Sequence, residues 1–330
     1  MSDLPVVAIS VGDTNGIGTE IILKSFESKE LFKICTPVLY CDYDFVEKLQ
    51  KIYNTKVNLF KVKNGFKTNV LNIKNVWEKN PELKFGHITK EAGMAAFISL
   101  ENAAKDVYNA RADVLVTAPI NKNSINSNFF PFKGHTHYLA KIWGGEALMV
   151  LMNKKMRIAL LTDHVPLKNV SLLISKELIE KKVKILYRSL KLDFKIKNPK
   201  LAILGMNPHA SDNGIIGDEE QKIIIPTVNK LNQIGLNIKG PFSADGFFGQ
   251  KKYLNFDCVL SCYHDQGLVG FKALSFGNGI NYTAGLSSVR TSPDHGTAFD
   301  IAGKNIANQS SFLKACLLYT SDAADDLWCG

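Results

Sequence analysis

Three histidines each stand just beyond a short apolar run. Arg157-Ile-Ala-Leu-Leu-Thr162 leads to His164, Leu201-Ala-Ile-Leu204 to His209, and Cys258-Val-Leu-Ser-Cys262 to His264. Such runs read as buried strands of a parallel α/β sheet, whose ligands bind beyond the strand carboxyl ends, so residues after three strands can converge on one crevice. Three neutral imidazoles with an open fourth position make a catalytic site for Zn²⁺ or a similar divalent ion. One histidine after a strand is ordinarily a loop residue or a hydrogen-bonded core residue. Three of the chain's seven in equivalent places point instead to metal.

Two further groups suggest an anion. Gly134-His-Thr136 opens an apolar-periodic segment, Tyr138 to Trp143. Thr136 reads as an N-cap whose first-turn amides could hold a phosphate, and an ordinary capped helix fits the same residues equally well. Lys272, Asn281 and Arg290 add two cations and an amide. Only four of the forty basic residues are arginines, and Arg290 in Ser288-Val-Arg-Thr-Ser292 reads as a place needing a planar fork for phosphate or carboxylate. No G-x-G-x-x-G, Walker or G-x-S-x-G sequence occurs, so neither a standard dinucleotide fold nor a serine hydrolase gains support.

Those side chains need a scaffold. Val6-Val-Ala-Ile-Ser10 predicts a first strand, followed by the turn Gly12-Asp-Thr-Asn-Gly-Ile-Gly18 and a helix through about Phe26. A second strand is expected from Thr36 to Tyr40, a helix from Thr89 to Ala110 and a strand from Asp113 to Thr117. After Met149, strands alternate with helices at Lys176 to Leu190 and Glu219 to Gln233, the alternation of a wound α/β fold.

With 330 residues, 45% hydrophobic and 22% charged, the chain fits one large or two medium globular domains. No stretch approaches the roughly 18 consecutive apolar residues of a membrane span, and Met1 to Pro5 lack the basic and apolar regions of a signal peptide. A cytoplasmic location with no membrane partner is expected. Six cysteines show no CxxC spacing, and disulfides are not expected. The net charge of +9 comes mainly from scattered lysines, which suits steering of an anionic small molecule better than nucleic-acid binding.

Taken together, GDTNGIG at 12–18, GHTHYLA at 134–140, TDHVPL at 162–167, MNPHASDNGIIGDEE at 206–220, YHDQGL at 263–268 and the run from Gly279 to Lys304 resemble the 4-hydroxythreonine-4-phosphate dehydrogenase family of pyridoxal phosphate biosynthesis. The resemblance covers most of the chain, in the family's order. It implies a two-lobed wound α/β architecture like that of isocitrate and isopropylmalate dehydrogenases, with the active site in the cleft between lobes. Residues 1–140 with 271–330 would form the nucleotide-side lobe, and 141–270 the metal and dimerisation lobe. It further implies a homodimer with the active site at the interface, in which His164, His209 and His264 bind a divalent metal (Zn, Mg or Co). His135, Thr136, Lys272, Asn281 and Arg290 would hold the phosphorylated substrate.

The segment Asp294 to Lys304 resembles the adenine loop of the isocitrate and isopropylmalate enzymes. It makes His295, Gly296 and Thr297 candidates for binding NAD or NADP, with a purely structural turn as the alternative. The implied reaction oxidises 4-phosphooxy-L-threonine to 2-amino-3-oxo-4-phosphooxybutanoate, which loses carbon dioxide to give 3-amino-2-oxopropyl phosphate. Asp245, Asp265 and Lys272 remain open as the base. The alternatives are a dehydrogenase of another phosphorylated hydroxy acid such as 4-phosphothreonate, a metal-dependent phosphohydrolase and a catalytically silent phosphate-binding protein. The chain departs from the family at His137, usually glutamate, and at Thr14 and Asn15, usually proline and alanine. It also departs at 243–248, where SADGFF replaces a PADTLF-like stretch but keeps Asp245. Residues 317–330 do not resemble the family's closing helix and read as a non-native tail.

Overall fold

The computed structural model describes residues 4–125, 131–132, 134–275 and 277–320. The chain divides into two compact units, Met1–Gly145 with Leu286–Gly330, and Glu146–Gly285. These divisions fall at Gly145 and Gly285, against the expected 140 and 270, because the helix His264–Ser275 buries Leu268 and Phe271 in the second unit's core. The closing helix Ser310–Thr320 continues through the start of the stretch read as a tail, and residues 321–330 lie outside the described residues.

Strands are numbered along the chain. In the first unit β1 (Val6–Ser10), β2 (Thr36–Cys41), β3 (Leu59–Lys61), β4 (Leu71–Asn75), β5 (Val114–Thr117) and β12 (Val289–Pro293) form a parallel array, in the order β3-β4-β2-β1-β5-β12. β2 and β5 are buried along their whole length, as near-continuous apolar strands of a parallel sheet should be. The helix Lys90–Tyr108 is capped by Thr89, whose hydroxyl accepts from the Ala92 amide at 3.2 Å. Its residue Gly93 permits a close approach, since a Cβ there would lie 2.0 Å from the Ser124 carbonyl oxygen. Leu100, Ala103, Leu115, Tyr138 and Trp143 share one core. Within it the Trp143 indole donates to the Ala104 carbonyl at 3.0 Å, which seats the helix His135–Trp143.

The second unit holds β6 (Gly145–Met152), β7 (Arg157–Leu160), β8 (Lys200–Leu204), β9 (Asn237–Phe242), β10 (Cys258–Ser261) and β11 (Ile280–Leu286), in the order β11-β6-β7-β10-β8-β9. β6 runs antiparallel to β7, while β7, β10, β8 and β9 run parallel. Ile158, Leu160, Leu204, Phe247, Val259 and Phe271 form its core. Among the described residues no helix is long and apolar enough to cross a membrane. Cys35, Cys41, Cys258, Cys262 and Cys316 are all buried.

Candidate active site

β7, β10 and β8 lie side by side, so the three histidines follow the carboxyl ends of three adjacent strands. His164 and His264 come together, with ring centroids 5.5 Å apart. Thr162 joins their loops, its amide and hydroxyl donating to the Cys262 carbonyl at 3.2 and 2.7 Å. Gly267 lets the helix of His264 start hard against β10, since a Cβ there would lie 2.5 Å from Ser261 Oγ. His264 Nδ1 is 2.7 Å from Asp265 Oδ1. A neutral ring donating there keeps its Nε2 lone pair for a ligand. Gln266 donates to the Gly205 carbonyl at 2.6 Å and accepts from the Cys262 amide at 2.7 Å, which ties the end of β10 to that of β8.

His209 follows β8 in an unusual loop. From His209 to Asn213 every residue has a φ between 44° and 70°, a handedness that costs L-residues roughly 1–2 kcal/mol each and persists only where surrounding structure holds it. Glu220, fully buried, supplies that hold: its carboxylate accepts from the Asn207 amide and from Asn207 Nδ2, each at 2.8 Å. The exposed His209 ring adds to the field on Asp245. Hydrogen bonds from the Ser243 hydroxyl and the Gly246 amide are the main causes holding that carboxyl below the usual range. Among the described residues no three His, Cys, Asp or Glu side chains close on one point. The donor chemistry nonetheless fits a divalent ion, with one imidazole already oriented by a carboxylate.

In the first unit, β12 pairs with β5 and brings Arg290 beside Thr117. Arg290 is only 4% exposed. Its Nε and Nη2 donate to Thr117 Oγ1 at 3.1 and 2.7 Å, and Nη2 lies 3.4 Å from His135 Nδ1. Burial lowers the Arg290 pKa to about 10. Burial, reinforced by the Arg290 charge, drives His135 well below its ordinary value. The ring is therefore neutral near pH 7. With Nδ1 facing a donor it carries its proton on Nε2, which is buried and has no partner among the described residues. A guanidinium beside an unspent N–H suits an anionic oxygen. The helix cap here is Gly134, with φ 149°, and not Thr136. Position 136 is the second helical residue and offers a first-turn amide instead of a capping hydroxyl.

The expected nucleotide residues also lie in the first unit. His295 Nδ1 is 3.0 Å from the Gly296 carbonyl, which makes Nε2 the acceptor of a neutral ring, and that atom is buried with no partner among the described residues. Gly296 has open space where a Cβ would stand. The Thr297 carbonyl accepts from the Ile17 amide at 3.0 Å, so the Gly12–Gly18 turn backs this loop. The turn is itself pinned at Asp13, which is fully buried and receives the Ser124 hydroxyl at 2.7 Å and the Asn15 amide at 3.0 Å. Burial raises the Asp13 carboxyl, and the two hydrogen bonds oppose that.

In the second unit Asp265 and Lys272 are exposed on the helix His264–Ser275. Asn281, on β11, has a buried Oδ1 without a partner among the described residues. Sequence reasoning passed over Thr117, Gln266, Asn207 and Glu220. The only available signal was MNPHASDNGIIGDEE, which sets an amide and an acid thirteen residues apart.

Residues 33–319 match the model of the family described as pyridoxal phosphate biosynthetic protein PdxA, a match that runs into the stretch 317–330. A 4-hydroxythreonine-4-phosphate dehydrogenase of Bacteroides thetaiotaomicron is 43% identical over 313 residues, 94% of this chain and 86% of its own. A protein of Oceanobacillus iheyensis provisionally named a D-threonate 4-phosphate dehydrogenase is 35% identical over 325 residues, 96% of this chain and 97% of its own. The crystal structure of a 4-hydroxythreonine-4-phosphate dehydrogenase from Klebsiella pneumoniae matches with a TM-score of 0.84 at 30% identity, covering 97% of this chain and 98% of that one. The chain belongs to the pyridoxal phosphate biosynthetic protein PdxA family.

Proposed function

We propose that the chain is an NAD- or NADP-dependent, divalent-metal-assisted dehydrogenase of 4-phosphooxy-L-threonine, acting as a homodimer in pyridoxine 5'-phosphate biosynthesis. The observation that carries this reading is the buried Arg290–His135 pair, a built place for a phosphate in a family whose relatives are named for phosphorylated substrates. Arg290 offers its fork and His135 its Nε2–H to phosphate oxygens, with the Thr136 amide beside them. Lys272 and Asn281 keep the substrate roles that the resemblance implies.

An ion on His164, His209 and His264 would supply Lewis acidity at the substrate hydroxyl, and a dinucleotide held at His295, Gly296 and Thr297 would accept the hydride. The hydroxyl proton needs a separate acceptor. Asp245 is engaged by Ser243 and Gly246, and Asp265 by His264. Asp245, Asp265 and Lys272 all stay candidates for that acceptor.

The protein, loaded with Zn²⁺, Mg²⁺ or Co²⁺, should form reduced nicotinamide from NAD⁺ or NADP⁺ when given 4-phosphooxy-L-threonine. Release of orthophosphate without nicotinamide reduction would make it a phosphohydrolase and overturn the reading. The Oceanobacillus relative favours a second arm with D-threonate 4-phosphate. Preferential oxidation of that compound would keep the chemistry and change the substrate.

A further inference from the structure

We infer that Asn15 is a positioning residue for dinucleotide binding, fixing from one turn both surfaces on which the loop 295–303 rests. The inference builds on the nucleotide reading of that loop. Asn15 is fully buried. Its Nδ2 donates to the His87 carbonyl and to Thr89 Oγ1, each at 3.1 Å, and its Oδ1 accepts from the Lys84 amide at 2.7 Å. Its backbone carbonyl accepts from the Gly86 amide at 2.9 Å. One side chain and one carbonyl thus fasten the segment 84–89 to the Gly12–Gly18 turn.

The loop touches both fastened pieces. On the turn side, the Ile17 amide donates to the Thr297 carbonyl at 3.0 Å. Gly16 packs so closely that a Cβ there would lie 2.8 Å from the Thr297 carbonyl oxygen. On the 84–89 side, a Cβ on Gly86 would lie 2.9 Å from the Phe299 carbonyl oxygen, and one on Gly303 would lie 2.6 Å from the Phe85 ring. Both surfaces are backbone against backbone or ring, with no flexible side chain to take up slack. If Asn15 lets go, the 84–89 surface is freed from the turn while Thr297 keeps its own bond to the turn, so the two surfaces under the loop can shift relative to each other. His295, at the start of the loop, then presents its Nε2 less reproducibly, and such loss of alignment weakens binding without removing a contact.

The test uses the whole chain and measures dissociation constants for NAD⁺, NADP⁺ and 4-phosphooxy-L-threonine, with hydrogen exchange read segment by segment. Asn15→Ala should weaken dinucleotide binding roughly tenfold, the scale expected for losing one to two hydrogen bonds' worth of alignment. Substrate binding should not change, and exchange should quicken in 84–89 and 294–304 but not in the helix His264–Ser275. Gly16→Ala, which loses no hydrogen bond and pushes directly on Thr297, should weaken the same ligand and is the deciding variant if Asn15→Ala does not fold. His295→Ala reports on the underlying reading. If it loses dinucleotide while Asn15→Ala and Gly16→Ala bind like the wild type, the positioning role is wrong and the nucleotide loop stands. If His295→Ala binds dinucleotide normally, both fall.

Discussion

In the first unit the groups suited to an anion are buried and already in contact, Arg290 with Thr117 and His135. In the second unit the groups suited to a cation are largely solvent-facing, and only His164 and His264 approach each other. The contrast follows from the chemistry of the donors. A guanidinium loses hydration on burial and must find fixed partners as the chain folds, so Arg290 is already paired with Thr117 and His135 before any ligand arrives. Imidazoles tolerate water and could be drawn together by an ion. Their precision therefore has to come from one layer back, from Thr162, Gln266 and Glu220, which set the strand-end loops. Variants that act on each layer should separate the two designs.

Loss of a proposed ligand should have the largest effect. His264→Ala is expected to cut turnover by roughly a thousandfold or more while the protein stays folded, because a catalytic ion with two of three ligands is weakly held and misplaced. Because His164 and His264 meet within one chain, mixing His264→Ala chains with His209→Ala chains, under conditions shown to exchange subunits, should restore partial activity if His209 is supplied across a dimer. No restoration would confine the ligands to one chain.

Next in size, Arg290→Lys should raise the KM for substrate about 10- to 100-fold, on the scale of a charge-assisted hydrogen bond, with kcat less affected. An unchanged KM would remove Arg290 from the anion site. Gln266→Leu should loosen the β8 and β10 ends and weaken Zn²⁺ or Co²⁺ binding roughly tenfold, leaving phosphate binding alone. Equal losses in both would erase the distinction between the units.

A smaller effect concerns acid. His135 titrates well below its ordinary 6.5 when folded, so the unfolded chain binds the extra proton first. Stability is then fully present above about pH 6.5 and is lost as pH falls through the window below it. Denaturant midpoints measured down to about pH 5 should fall more steeply for the wild type than for His135→Gln. Parallel profiles would mean that His135 is not the group responsible.

Much of the scaffold was legible because apolar runs report burial directly: β1, β2 and the strands before the three histidines were all readable from Val, Ile and Leu alone. The scarcity of arginine likewise pointed to Arg290, which is buried. What stayed hidden depends on partners distant in sequence. Thr117 meets Arg290 across 173 residues, and nothing local marks one threonine among many as its acceptor. The antiparallel β6 was missed because Gly145-Glu-Ala-Leu-Met has no clear alternation of polar and apolar residues. The glycine cap before His135 was overlooked because Thr136 has the more familiar capping side chain.

The left-handed run from His209 to Asn213 makes the protein improvable in a way that its function opposes. Glycine is at ease in that conformation and alanine or aspartate is not, so Ala210→Gly or Asp212→Gly should relieve strain in the folded chain. Thermal unfolding of such a variant is expected to move up by a few degrees or less while Zn²⁺ affinity drops, because the relaxed loop has less reason to hold His209 where it is. A selection for heat resistance alone would then converge on glycines in this loop at the expense of the proposed metal site.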